Sequence, residues 1–271
     1  MKKRYRFALA LALCLVLTAV SAAAAGVQVT LLGKPLAGAL LEDSTTWVPL
    51  RAFCEAMGST VTWDGEAQAI TVRDEEFTAR ITLGDRTVEA DGRYFWLSAA
   101  PFCRNGVTYL PVRGIALLYG LEVGWDARTM AVTLSGGAGF ADAAQYYDST
   151  DLYWLSRIIF AESGNQSLEG QVAVGNVVMN RVDSAQYPDT VKEVIFDTKY
   201  GVQFTPSQSG RIYLTPSEQS VMAAKLVLEG AQAVPEDTLY FISSRVSESH
   251  WMKRTCRLIA VIGGHSFFGN P

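Results

Sequence analysis

Histidine is nearly missing from this chain: its 271 residues hold 2, His250 and His265, with none upstream. That absence excludes a multi-histidine metal centre from everything before His250. No CxxC pair occurs, so the usual spacing of a thiolate metal site or a dithiol redox centre is missing too. No GxSxG segment marks a nucleophile elbow, and Ser266 beside His265 on an extended chain points to another side. Beyond the N-terminus no apolar run approaches the ~20 residues of a bilayer span, which argues against stable membrane insertion. Basic runs are also absent there, and nucleic-acid phosphates need a basic surface.

The N-terminus itself reads as an export signal. Lys2, Lys3, Arg4 and Arg6 precede an apolar run from Phe7 to Val20, followed by small residues up to Gly26. Cleavage after residue 25 predicts a secreted protein and removes Cys14 with four basic residues, leaving 19 basic against 27 acidic. A sugar polymer, held by hydrogen bonds and stacking, suits such an acidic chain better than a polyphosphate. Three cysteines remain, Cys54, Cys103 and Cys256. They allow either a Cys54–Cys103 disulfide or three buried thiols.

Residues 47–72 repeat 62 positions later as residues 109–134. Pro49, Arg51, Gly58, Trp63 and Asp64 recur as Pro111, Arg113, Gly120, Trp125 and Asp126. In each copy proline opens a short helix, glycine ends it, and a β-hairpin turns at the aspartate. Trp63 and Trp125 read as hairpin core residues ahead of sugar-stacking ones. Residues 136–147 are small and polar and read as a linker, which separates residues 26–135 from residues 148–271.

In the second half, a helix over Asp151–Ser163 would place Leu152, Leu155, Ile159 and Glu162 on one stripe. A carboxylate there is either a working acid, its pKa raised by apolar neighbours, or a solvated Glu at a fraying end before Gly164. Ser167 predicts the cap of a second helix, Thr190 with Glu193 a capping box, and Thr215, Pro216 and Glu218 the start of a helix stopping at Gly230. TLYFISS and RLIAVIGG read as strands, so the fold class is α+β, a β-rich first half and a mostly helical second half with a small sheet. Gln203, Phe204 and Ser207, in the loop of residues 200–210, are candidates for lining a saccharide cleft.

Two resemblances sharpen this reading. The duplicated unit resembles the copper amine oxidase N-terminal-like stalk domain of secreted bacterial proteins. The series FAESGNQSLEGQVAVGNVVMNRV, YGVQFTPSQ, LYFISS, SHW and VIGGHSFF resembles the cell-wall hydrolase family of the spore-cortex-lytic enzymes. That resemblance implies a lysozyme-like transglycosylase fold, peptidoglycan glycan strands as substrate, no cofactor, and Glu162 as the catalytic acid/base. It also implies Tyr240, Trp251 and His265 as substrate-binding residues, and it admits a wall- or membrane-associated regulatory partner. Where the family carries a second acid, this chain has Gln166. Two other readings stand beside it: a non-catalytic wall-binding protein, and a zinc amidase or peptidase using His250, Cys256 and His265.

Overall fold

The computed structural model describes residues 26–199, 201–246 and 250–271; the export signal expected over residues 1–25 lies outside them. The stalk opens with the hairpin β1 (Gln28–Leu31) and β2 (Lys34–Leu36). The first repeat follows as β3 (Leu40–Glu42), β4 (Thr45–Pro49), α1 (Leu50–Ala56), β5 (Thr60–Asp64) and β6 (Ala69–Arg73). Three strands intervene: β7 (Thr78–Thr82), β8 (Thr87–Ala90) and β9 (Arg93–Trp96). The second repeat is β10 (Phe102–Arg104), β11 (Val107–Pro111), α2 (Val112–Leu118), β12 (Glu122–Asp126) and β13 (Ala131–Ser135).

The duplication survives in backbone detail. Gly58 and Gly120 both take positive φ just after their helices, which stops each helix without a Cβ clash. Asp64 and Asp126 each accept backbone N–H bonds from the two positions that follow at i+2 and i+3, building the same Asx turn. The two halves meet where β4 pairs antiparallel with β11, Trp47 opposite Pro111 and Pro49 opposite Tyr109. Shifting either pair by 62 gives the other, so a local two-fold relates the repeats. Phe53, Leu50, Leu110, Ile115 and Leu118 fill the core between them. β1 joins this unit by pairing parallel with β13.

Two expectations change here. Trp63 and Trp125 are not core residues, since each sits on an edge strand and stays 46% and 44% exposed. The three thiols are free, with Cys54 and Cys256 buried but Cys103 exposed. Burial pushes the Cys54 thiol up to about 11, leaving it unreactive.

The second half contains α3 (Ala143–Tyr146), α4 (Ser149–Ser163), α5 (Leu168–Val182), α6 (Val191–Phe196) and α7 (Thr205–Ser209). After a 3-10 turn at Arg211–Tyr213 come α8 (Glu218–Leu228), β14 (Thr238–Ser243), α9 (Trp251–Thr255), β15 (Arg257–Ile262) and β16 (His265–Gly269). α4, α5 and α8 pack at Gly175, where a Cβ would lie 2.8 Å from Val227 and 2.9 Å from Ile159. The predicted cap of α8 moves two residues: Ser217, not Thr215, accepts the Ser220 N–H. Replacing Ser217 with Ala is therefore expected to cost about 1 kcal/mol, and replacing Thr215 a few tenths, in urea unfolding.

The antiparallel sheet runs in the order β14, β16, β15. Polar residues of α5 bind the chain that leads into it. Asn176 Nδ2 donates to the Ala231 carbonyl at 2.7 Å, Asn180 Nδ2 to Thr238 at 3.0 Å, and Arg181 Nε to Leu239 at 2.9 Å. The NVVMNR segment thus satisfies backbone groups that burial would otherwise leave without partners.

The stalk docks on α8 through β9. Arg93 donates Nε and Nη2 to the two oxygens of Glu229, at 2.7 and 2.8 Å, and the Tyr147 hydroxyl donates to the same carboxylate at 2.8 Å. Lys225 Nζ donates to the Gly92 carbonyl. Residues read as a linker take part: Arg93 donates to the Ala141 carbonyl, and its guanidinium lies 3.8 Å from the Tyr146 ring centre.

Candidate active site

α4 starts where Asp148 accepts the N–H groups of Thr150 and Asp151. Leu155, Ile158 and Ile159 are fully buried along it, and Glu162 follows on the same side at the last turn. Its carboxyl pKa is raised to about 7 because burial penalises the charged form, against a lowering influence from the Arg211 guanidinium. At neutral pH both protonation states are populated, the condition for a group that must give and then take a proton.

Glu162 opens onto a cleft of about 630 Å³. Asn165 borders it after α4, Thr205 and Ser209 border it from α7, and Arg211 and Leu214 close it from the following turn. Amide, hydroxyl and guanidinium groups thus line the same space as the acid, which has the size of a small-molecule site. Among the described residues lining the cleft, Glu162 is the only carboxylate. Glu169 is an exposed first-turn acid of α5, and Asp197 caps the Lys199 N–H.

The other candidates from the sequence do not line this cleft. Phe204 is corrected from sugar platform to core residue: its ring is 1% exposed, 6.2 Å from Phe241 and 5.0 Å from the Arg181 guanidinium. Gln203 and Ser207 turn back on their own chain, donating to the Gly201 and Phe204 carbonyls. Tyr240 bonds Asn270 and packs 6.1 Å from the half-exposed Trp251. His265 is 9% exposed beside Phe241, and burial lowers its pKa, so it stays neutral at physiological pH. Its Nδ1 has no partner within the described residues. No group of three or more His, Cys, Asp or Glu residues converges among the described residues, so His250, Cys256 and His265 form no ligand set.

Sequence reasoning missed Asn165, Thr205, Ser209 and Arg211. Pro206 in the first turn of α7 was the available signal that residues 205–209 are helical. Nothing in the local pattern marks Arg211, which follows Gly210 at φ 76°. Gln166, standing at the family's second acid position, is a structural clamp here. Its Oε1 accepts the Gly264 N–H at 2.7 Å, and its carbonyl accepts from Gln171 and Gln219. Gly263, at φ 53°, admits it because a Cβ there would lie 2.5 Å from that oxygen.

Residues 165–268 match the Cell Wall Hydrolase family, and residues 28–134 match the Copper amine oxidase N-terminal domain. The chain therefore carries a cell wall hydrolase domain behind a copper amine oxidase N-terminal-like domain, with Glu162 three residues ahead of the matched stretch.

Its relatives are spore cortex-lytic enzymes. That of Oceanobacillus iheyensis is 32% identical over 133 residues, covering 49% of this chain and 46% of the relative. That of Bacillus cereus is 35% identical over 121 residues, 45% of each. The chain thus spans about half the length of the curated relatives it matches. Among solved structures, the catalytic domain of the germination-specific lytic transglycosylase SleB from Bacillus anthracis is 34% identical, covering 45% of this chain and 96% of that one, with a TM-score of 0.41.

Proposed function

We propose that the C-terminal domain cleaves the glycan strands of peptidoglycan between N-acetylmuramic acid and N-acetylglucosamine, with Glu162 as acid and base in turn. The observation that carries this reading is a carboxyl held near pKa 7 in a cleft with no second carboxylate among its described lining residues. The family match and the names of the relatives support it.

Protonated Glu162 gives its proton to the bridging oxygen as the C1–O bond breaks and positive charge grows on the muramoyl ring. The carboxylate left behind takes the proton of the muramoyl 6-hydroxyl while that oxygen bonds to C1. The products are a 1,6-anhydromuramoyl end and a free 4-hydroxyl, and the acid is regenerated. Inversion or retention by water would call for a second carboxylate ~5–9.5 Å from the first. Asn165, Thr205 and Ser209 offer hydrogen bonds to acetamido and hydroxyl groups. The export signal over residues 1–25 puts the enzyme outside the cell, on spore cortex or wall peptidoglycan.

Mass spectrometry of fragments released from purified wall and cortex peptidoglycan tests this. Anhydromuramoyl products, lost in Glu162→Gln, are expected. Reducing ends would mean hydrolysis instead, and no release from either material would leave the domain a wall-binding one.

A further inference from the structure

Two grooves on the stalk share one construction. The first, about 620 Å³, is bounded by Pro49, Arg51, Val61 and Trp63 of one repeat and by the Gly106–Thr108 turn of the other. The second, about 290 Å³, is bounded by Pro111, Arg113, Val123 and Trp125 and by the Ser44–Thr46 turn. Every one of these positions maps onto its counterpart by the same shift of 62, so each groove needs both repeats and the pair follows the local two-fold. In both, an indole lies about half outside the protein and an arginine lines the same groove.

Folding alone does not account for this. A tryptophan left half in water forgoes burial worth roughly 25 cal/mol per Å² of apolar surface. Yet both copies keep it, while neighbours within the repeats differ: Glu55 against Leu117, Thr62 against Gly124. An exposed aromatic face at the wall of a groove suits the apolar face of a pyranose ring, and guanidinium suits a carboxylate or acetamido oxygen. The two grooves differ in charge. Arg51 lies 3.7 Å from Glu55, whereas Arg113 has Leu117 at that position and no hydrogen bond or ion pair to any described residue.

We propose that these are two saccharide-binding grooves that hold the carboxylate-bearing glycan strand of peptidoglycan, the Trp125–Arg113 groove taking the anionic muramoyl ring. The choice of polymer rests on the glycan-cleaving reading of the C-terminal domain. The grooves themselves rest on the stalk alone. Two sites on one chain also raise the avidity for a polymer beyond that of either groove.

The test is calorimetric titration of the full chain, in a Glu162→Gln background that stops turnover, with peptide-free glycan strands whose muramoyl carboxylates are free. Trp63→Ala with Trp125→Ala is expected to weaken binding about tenfold or more, and Arg113→Glu more than Arg51→Glu. With Glu162 restored, turnover of a short oligosaccharide is expected to be unchanged. Arg113 is exposed and Arg113→Glu removes no hydrogen bond or ion pair to a described residue, so it stands should the tryptophan pair unfold the stalk. Unchanged affinity in the tryptophan pair, or in Arg113→Glu if that pair unfolds, overturns the proposal. Cleavage with tryptophan-independent binding sinks the grooves and leaves the catalytic reading; tryptophan-dependent binding without cleavage does the reverse.

Discussion

Glu162→Gln is expected to lower kcat on peptidoglycan by about 10²–10⁴-fold with little change in KM, because the amide keeps the side chain's shape and loses its proton. The pH profile carries the same information. With the carboxyl at about 7, the protonated acid is lost as pH rises through 7, so kcat should fall along a limb centred there. Arg211 stabilises the carboxylate, so Arg211→Ala should move that limb to higher pH. A limb that stays put in Arg211→Ala would place the titrating group elsewhere.

Stability must then follow with the opposite sign from an ordinary salt-bridged acid. The folded state holds the Glu162 proton more tightly than the unfolded chain, whose carboxyl titrates near 4.3. Stability therefore falls as pH rises from about 4.3 to 7 and stays lowered above it, by an amount on the order of 3–4 kcal/mol. Glu162→Gln should be more stable than the parent at pH 8 and equal to it at pH 4, read from urea midpoints. A cleft acid that costs stability when charged accords with a group kept for chemistry.

The second large effect concerns the joint between the halves. Arg93 and Glu229 are both nearly excluded from water, with side-chain exposures of 7% and 3%. Burial works to strip the Arg93 proton, and the bonds to Glu229 more than offset it. Removing one partner leaves the other charge without its bidentate match, so Arg93→Ala is expected to cost about 3–5 kcal/mol. The apolar pair Arg93→Met with Glu229→Leu should recover most of that. Calorimetry would also show whether one unfolding transition becomes two. A single sharp transition in Arg93→Ala, at the parental midpoint, would mean that β9 and α8 are held by apolar contacts alone.

Legibility of this chain followed the range of the interactions. The repeat, its caps and the helices around Glu162 were readable because they rest on spacings of a few residues: proline before, glycine after, an acid in an apolar stripe. The α8 cap was misplaced because Thr215 and Ser217 are both competent by type, and only the Ser220 N–H donated to Ser217 Oγ tells them apart. Phe204 was misread because an aromatic in a polar loop looks the same whether it faces sugar or Phe241. Arg211 and the Arg93–Glu229 pair had no local signature, since their partners lie on other elements far along the chain. Trp63 and Trp125 were assigned to the core by type, and strand order placed them at edges.

The parallel pairing of β1 with β13 has a consequence for assembly. One edge of β1 pairs at once with β2, but its other edge finds its neighbour in residues 131–134, so nearly the whole stalk must be synthesised before that edge is covered. Contacts this distant in sequence make folding slow relative to local helix formation. Until then the β1–β2 hairpin keeps one edge without its neighbour, whereas α4 and α5 are built from hydrogen bonds between near neighbours and need no such wait.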